Sequence, residues 1–372
     1  INVDQSQEID LNLKEAFNSI EAVTITAGSF EASDKKKAVV LNSLDIATTA
    51  GATADITGAL NTLPGTQKVG ESGRLFVRGG TADETRIYID GVEAANYYGA
   101  SANGVPTRSR FSPFLFKGTF FSTGGYSAEY GQALSSALSL NTLDVDPENK
   151  IDLSLMSVGF DAAVTRSWND QSIYAKAGYL NLNPYNNVID QRVNWIDGTV
   201  SWDGTMAYKK KLANGGMIKA LGMVNTADFH LQEHTILNEQ GYNDIEISNR
   251  NSFVTANVNL PVGEKDNVFF GVSSAWDNNA VGYNESGIDN PQYNFHAKLK
   301  FNHEFNPKQT LNTGAEVYYL SSKQKLGDDQ DTLDLSFENH NLAYYAEINQ
   351  YLSENLVLRV GGRLSHQMAL NA

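Results

Sequence analysis

LFVRGGTADETRIYIDGVEAANYY, residues Leu75 to Tyr98, carries the densest local information in the chain. Leu75, Phe76 and Val77 lead into Arg78-Gly79-Gly80, and Arg86, Ile87, Tyr88 and Ile89 lead into Asp90-Gly91. Asp-Gly between apolar runs is a strong two-residue turn signal, because both positions then accept left-handed backbone angles. The stretch therefore predicts two short buried strands with a Gly-rich turn between them. Any small β-domain can own such a hairpin, so its neighbours must decide what it belongs to.

Upstream, Asp45 to Gly65 has helical spacing. Thr53 or Asp55 can cap, Ile56, Ala59, Leu60 and Leu63 share a face, and Pro64-Gly65 stops the helix. Downstream, Val92 to Pro113 is rich in Tyr, Asn, Gly, Ser and Arg, as recognition loops are. The domain closes with Gly124 to Gly131, GGYSAEYG, and an alternating strand from Ala137 to Thr142. At the start of the chain, Ile9, Leu11 and Leu13 alternate with Asp10, Asn12 and Lys14. A lone strand is not stable, so residues 1–20 are expected to end a small β-sandwich and to form a linker. The β-prone segment Glu21, Ala22, Val23, Thr24, Ile25, Thr26, Ala27 follows, then a polar leash to Lys37. A short strand-former on a leash suits capture by a partner's sheet edge; an ordinary edge strand has the same pattern.

Composition narrows the classes. The 372 residues allow two domains or one large barrel, and the net charge of -15 argues against nucleic acid as a partner. Cysteine is absent, which excludes disulfides, thiolate metal sites and a Cys nucleophile. The opening INVDQSQEID has neither the basic head nor the apolar core of a signal peptide, so the sequence is expected to begin after processing or inside a longer protein. No run is long and apolar enough for a membrane-spanning helix. Membrane strands remain open, and 17 Tyr, 17 Phe and 31 Gly fit their composition.

Read in order, ALNTLPGT, LFVRGG, YIDGVE and GGYSAEYGQALSSALSLNT resemble the plug of a TonB-dependent outer-membrane receptor, over Ala22 to about Asp144. The resemblance implies a TonB box at Glu21 to Ala27, and the strand before it resembles the end of a carboxypeptidase-regulatory-like domain. One departure is FLFKGTFFSTGG, where Lys117-Gly118 stands for the family's usual Arg-Gly. It leaves the subfamily and the ligand open.

From Ile151 the chain alternates almost without interruption. Tyr293, Phe295, Ala297, Leu299 and Phe301 oppose Asn294, His296, Lys298, Lys300 and Asn302. A soluble sandwich and a membrane barrel both produce this pattern. Joins separate them: short ones at Trp168 to Asp170, Lys211 to Gly216, Pro261 to Asn267, Asn306 to Lys308 and Ser353 to Asn355 alternate with long ones. The long joins are Asn183 to Trp195, Phe229 to Glu246, Asn278 to Asn290 and Lys323 to Asp334. Turns on one side and loops on the other are the habit of a membrane barrel. About eleven strands result, near 151–157, 160–167, 171–182, 196–210, 216–228, 246–260, 267–278, 291–305, 309–322, 334–351 and 355–369. Eleven strands would close at a radius of roughly 11 Å, too narrow for a plug about 35 Å wide, whereas twice as many give roughly 22 Å. The expected fold is thus a membrane β-barrel with an α+β plug in its lumen, the chain supplying roughly half of a 22-stranded wall. The expected segments are 1–20, the TonB-box-like segment and leash 21–37, the plug 38–145, and the wall 146–372.

Two motifs are set aside. His230-Leu-Gln-Glu-His234 matches an inverted zinc-protease pattern, which requires a helix, but falls where a strand opens into a loop. Asp328, Asp329, Asp331 and Asp334 offer oxygen ligands for calcium, though a solvated acidic loop explains them better. The resemblance implies a transporter, not an enzyme, needing no cofactor. It would import a scarce siderophore, cobalamin, oligosaccharide or peptide. Its partners would be the inner-membrane TonB complex and outer-membrane lipid, with a surface lipoprotein or other outer-membrane subunits as further candidates. The competing expectation is a receptor-like subunit of an outer-membrane assembly that transports nothing; a soluble sandwich adhesin is the third. Expected ligand contacts at the apex are Asp83, Asn96, Tyr97, Tyr98, Arg108 and Arg110. Arg74, Arg78 and Arg86 are expected to pair with wall carboxylates, since a buried plug needs partners for its guanidinium groups.

Overall fold

The computed structural model describes residues 39–370, apart from 71, 103–104, 106–107, 192, 237–240, 328–331 and 354–355. The segment Glu21 to Ala27, residues 1–20 and three of the four loop aspartates, Asp328, Asp329 and Asp331, lie outside the described residues.

An inner domain comes first. Strand β1 (Val39–Leu41) leads into α1 (Ser43–Thr48) and α2 (Ile56–Leu60), followed by β2 (Thr66–Gln67), β3 (Phe76–Val77), β4 (Thr85–Ile89), β5 (Val92–Glu93), β6 (Phe116–Ser122) and β7 (Ser136–Thr142). Two short helices replace the single one expected. Asn42 and Asp45 form a reciprocal capping box on α1, and Asp55 caps α2 by accepting the Gly58 N–H. Thr53 and Ala54 take positive φ values of 50° and 54°, which breaks the helical run between them. Ile56, Ala59 and Leu60 are buried as their spacing implied.

Leu75 to Tyr98 does not form one hairpin. β3 pairs with β2 as a separate ribbon, whereas β4 enters a five-stranded sheet of order β1-β6-β7-β4-β5. β4 and β7 run parallel and the other pairs antiparallel. The turn itself is as read: Ile89 faces Val92, with Asp90 and Gly91 at φ 48° and 91°. The Asp90 carboxylate accepts the Thr142 N–H at 2.9 Å and its hydroxyl at 2.6 Å, tying the turn to β7. Partner choice over some fifty residues is what the local pattern could not specify.

The second unit is one antiparallel sheet of eleven strands in unbroken chain order. They are β8 (Lys150–Met156), β9 (Gly159–Trp168), β10 (Gln171–Asn181), β11 (Asn194–Lys211), β12 (Met217–His234), β13 (Tyr242–Val262), β14 (Asp266–Tyr283), β15 (Ser286–Asn306), β16 (Gln309–Gly327), β17 (Thr332–Ser353) and β18 (Leu356–Leu370). Their number matches the alternation pattern, but most are longer. Asn278 to Asn290, expected as a loop, zips up until Tyr283 faces Ser286, leaving Asn284-Glu285 as the turn. Likewise the β12–β13 ladder runs on until His234 faces Tyr242. Where both faces of a sheet meet water the apolar alternation has no reason to continue, while backbone pairing does. The join from Asn183 is irregular over its described residues, opening with a short helix, α3 (Asn183–Asn186). The sheet is open: β8 and β18 are its two edges.

Burial decides between sandwich and barrel. On β15 the lysines Lys298 and Lys300 are 1% and 6% exposed, while their neighbours Leu299 and Phe301 are 50% and 38% exposed. A sandwich would bury the other row. Val254, Phe270, Val317, Tyr344, Ile348 and Leu364 continue the exposed apolar face across the sheet. Trp276 faces Tyr293 across the ladder, and Tyr293, Tyr319 and His340 touch ring to ring; Phe301, His303 and Phe305 form a second level. Strand rise and an ordinary barrel tilt put the levels about 30 Å apart along β15, close to the ~25 Å apolar band of outer-membrane barrels.

Candidate ligand cavity

The polar face of the sheet holds the inner domain through buried charge pairs, backbone hydrogen bonds and an apolar patch. Glu129, 2% exposed, accepts from Lys298 Nζ at 2.6 Å and lies 3.2 Å from Lys300 Nζ. Lys298 also meets Glu316 at 3.2 Å, and Arg363 reaches Glu316 at 2.6 Å. The Lys298 ammonium stands 5.7–5.8 Å from the ring centres of Tyr88, Tyr130 and Tyr345, a cation–π arrangement in a desolvated place. Lower down, Lys219 donates to the Thr142 carbonyl at 2.8 Å and lies 3.2 Å from Asp144. Backbone groups complete the seam. The Ala128 N–H donates to Glu347, the Glu93 N–H to His296 Nδ1, and the Ser273 hydroxyl to the Glu93 carbonyl. An apolar patch backs them, with Phe111 edge-on to Phe253 at 5.5 Å beside Leu221 and Met223.

The main polarity of this seam is the reverse of the one expected: the wall brings cations to carboxylates of the inner domain. Arg86 pairs with Glu93 at 2.7 Å and bonds Gln132, both on its own domain. Arg74 lies 4.0 Å from Asp83 and 5.5 Å from the centre of the Tyr98 ring. Arg78 is exposed beside Gly124. Arg110, read from sequence as a ligand contact, is the arginine that crosses. Its guanidinium donates to Asn225 at 2.9 Å, Asn249 at 3.0 Å and Asp277 at 2.9 Å, and its Nε to the Asn96 carbonyl at 3.0 Å.

Above Arg110, toward the long hairpins, lies a cavity of about 520 Å³, within the range of small-molecule sites. Five of the six apex residues named from sequence line it: Asp83, Asn96, Tyr97, Tyr98 and Arg110. Arg108 is exposed and is not among the lining residues. The tyrosines are not open platforms. Tyr97 is 3% exposed and stacks on Phe111 at 5.5 Å, and the Tyr98 hydroxyl accepts the Leu75 N–H. Burial pushes both phenols up, so they stay neutral hydrogen-bonding groups. Burial also raises the Glu93 carboxyl, although Arg86 opposes the shift. Sequence reading missed the wall half of the lining, notably Asn249, Asp277, Asn290, Gln292 and Asn294. It also missed the role of Lys298 and Lys300, although charges inside a membrane-height strand are a signal for function.

His230 lies within β12, and its Nε2 meets Asp244 across the ladder at 2.6 Å, so the helix that a zinc-protease motif needs is not there. Among the described residues no cluster of His, Asp or Glu has the grouping of a metal site.

Residues 33–137 match the family model of the TonB-dependent receptor plug domain. This chain carries a TonB-dependent receptor plug. The plug sits against a partial β-barrel wall, the fold of TonB-dependent outer-membrane receptors. The ferric-catecholate import receptor Fiu of E. coli K12 superposes with a TM-score of 0.63 at 12% identity, covering 89% of this chain and 60% of that one. FpvA of P. aeruginosa, solved with heterologous pyoverdines, gives 0.68 at 10% identity, covering 90% and 52%. The ferric yersiniabactin uptake receptor FyuA of Yersinia pestis gives 0.64 at 12% identity, covering 89% and 56%. The chain thus spans between 52% and 60% of the length of these structures. No curated protein matches it.

Proposed function

We propose that this chain is the plug-bearing part of an energy-coupled importer in a bacterial outer membrane. The observation that carries the reading is a folded plug seated on the buried polar face of a wall whose other face is apolar and exposed. A plug in that place stops passage until it moves. Part of its hold is ionic and hydrogen-bonded, and such contacts can be exchanged for water when the plug is pulled.

In this mechanism a ligand enters from the long-hairpin side and settles on Asn96, Tyr98 and the wall amides. The Arg110 guanidinium, bridging the cavity floor to three wall strands, feels the ligand first. Its rearrangement loosens the plug. Glu21 to Ala27 then adds as a strand to an inner-membrane TonB protein, and the pull is transmitted along the leash to residue 38 and the plug. Residues 1–20 are the end of a separate N-terminal domain, and 146–372 the first part of the wall.

The test is a deletion of residues 21–27 in the full-length protein, followed by uptake and growth on candidate nutrients. Uptake should fall to the level of a TonB-deficient strain while the amount of protein in the outer membrane stays the same. Unchanged uptake refutes the importer reading. Unchanged uptake together with a disturbed outer-membrane complex assigns the chain to an assembly instead.

A further inference from the structure

We infer that the cavity above Arg110 takes a neutral oligosaccharide, an inference that rests on the importer reading for the direction of entry. The first argument is electrical. Three cations line the cavity, Arg74, Arg86 and Arg110, and three carboxylates, Asp83, Glu93 and Asp277. Each cation has its carboxylate in the same lining: Arg74 with Asp83 at 4.0 Å, Arg86 with Glu93 at 2.7 Å, and Arg110 with Asp277 at 2.9 Å. The formal charge of the described lining is therefore zero. A ferric catecholate or another polyanion would meet each guanidinium already beside a carboxylate, with no net positive charge in the described lining to draw it in.

The second argument is the kind of polar group that remains. Six amide side chains, Asn96, Asn249, Asn279, Asn290, Gln292 and Asn294, line the cavity. An amide presents one acceptor and two donor hydrogens side by side, which matches the paired hydroxyls of a sugar, each both donor and acceptor. Asn249 is engaged with Arg110, Asp277 and Asn278. Asn96 differs: its Nδ2 is buried without a hydrogen-bond partner, on a backbone held at φ 54°. A turn of the Asn96 side chain toward the cavity would offer this unmet donor to a ligand acceptor.

The third argument concerns size and greasiness. Small-molecule sites are ordinarily lined by large apolar groups with few polar ones. Here the aliphatic share is mostly alanine, with Ile87 and Leu320 as the only larger aliphatics in the described lining and Tyr97 and Tyr98 as its aromatic rings. A peptide with large apolar side chains would find few large aliphatic groups to cover them in the described lining. A sugar needs only the hydrogen bonds and a little flat apolar contact.

The experiment uses the purified full-length protein in detergent, with calorimetry against four panels. These are short neutral oligosaccharides of several linkages, the matching uronic-acid oligosaccharides, neutral peptides and a ferric catecholate. A neutral oligosaccharide should bind, with affinity insensitive to salt because no charge is screened. Asn290→Ala with Gln292→Ala should weaken it about tenfold, the loss of two ordinary hydrogen bonds. Stronger binding of the uronates, peptides or ferric complex, or no neutral sugar retained at all, overturns the inference. The two readings fail separately. Sugar binding without TonB-dependent uptake removes the importer and leaves the site; TonB-dependent uptake of another ligand class removes the sugar and leaves the importer.

Discussion

Replacing Glu129 by alanine isolates what holds the plug. The carboxylate is buried and faces two wall lysines, at 2.6 Å to Lys298 and 3.2 Å to Lys300. Lys298 would keep Glu316 at 3.2 Å, but its site loses a negative charge while remaining closed to water. Removing one member of a buried ion pair typically costs about 3–5 kcal/mol, since the charge left behind is poorly solvated. Glu129→Gln keeps the shape and an acceptor, so its cost falls to about 1–3 kcal/mol. Native-state hydrogen exchange reads the difference where it matters, in plug strands β6 and β7. If docking onto the wall protects them, Glu129→Ala should speed their exchange about a hundredfold or more, at roughly 1.4 kcal/mol per factor of ten. Glu129→Gln should lie between it and the parent, and amides in β12 and β13 should change little. A change below threefold in β6 and β7 with Glu129→Ala would refute the reasoning. The apolar contact of Phe111 with Phe253 would then be the plug's real anchor.

Three further outcomes follow from the same geometry. Arg110→Lys should not restore the stability that Arg110→Ala loses in urea titration, about 3–5 kcal/mol, because a single shorter ammonium lacks the planar fork that reaches the three wall acceptors and the Asn96 carbonyl from separate nitrogens. Leu299→Arg should lower insertion into lipid vesicles by about 2–4 kcal/mol, although lysines flank it in sequence, because Leu299 faces lipid and they face the plug. At Asp144 burial favours the neutral acid, but Lys219 and Lys117 more than offset it and hold the carboxyl below the usual range. Its contribution is therefore present above the ordinary aspartate value of about 3.9 and lost as pH falls below it. Exchange at residues 143–149 should accelerate in that acid window and not between neutral and mildly acid pH.

Much of the site was readable in part. Asn96, Tyr97, Tyr98 and Arg110 stood out because turn-rich, aromatic and basic loop residues gather at recognition sites, and they do line the cavity. Their roles were not readable. Arg110 became a bridge because the wall places Asn225, Asn249 and Asp277 around it, and those residues lie 115, 139 and 167 positions away in sequence. Glu129 and Lys298, 169 positions apart, are a similar case. Nothing local in SAEYG or in HAKLK says that one will neutralise the other.

The sequence by itself determined the strands, their number and their two-faced character, because side-chain direction alternates strictly along an extended chain. It also determined the Asp90-Gly91 turn, since only a few residues accept its backbone angles. Alternation left open which face is inside; the join lengths and the plug resemblance pointed to a barrel, and the tertiary structure settled it. Alternation is symmetric between a greasy core with wet surroundings and a wet core with greasy surroundings, and the buried Lys298 beside the exposed Leu299 breaks that symmetry. It likewise decided that Phe76 and Ile87, neighbours in the stretch LFVRGGTADETRIYIDG, belong to different sheets. Backbone groups pair with whatever edge the rest of the fold brings near, and that is a property of the whole chain.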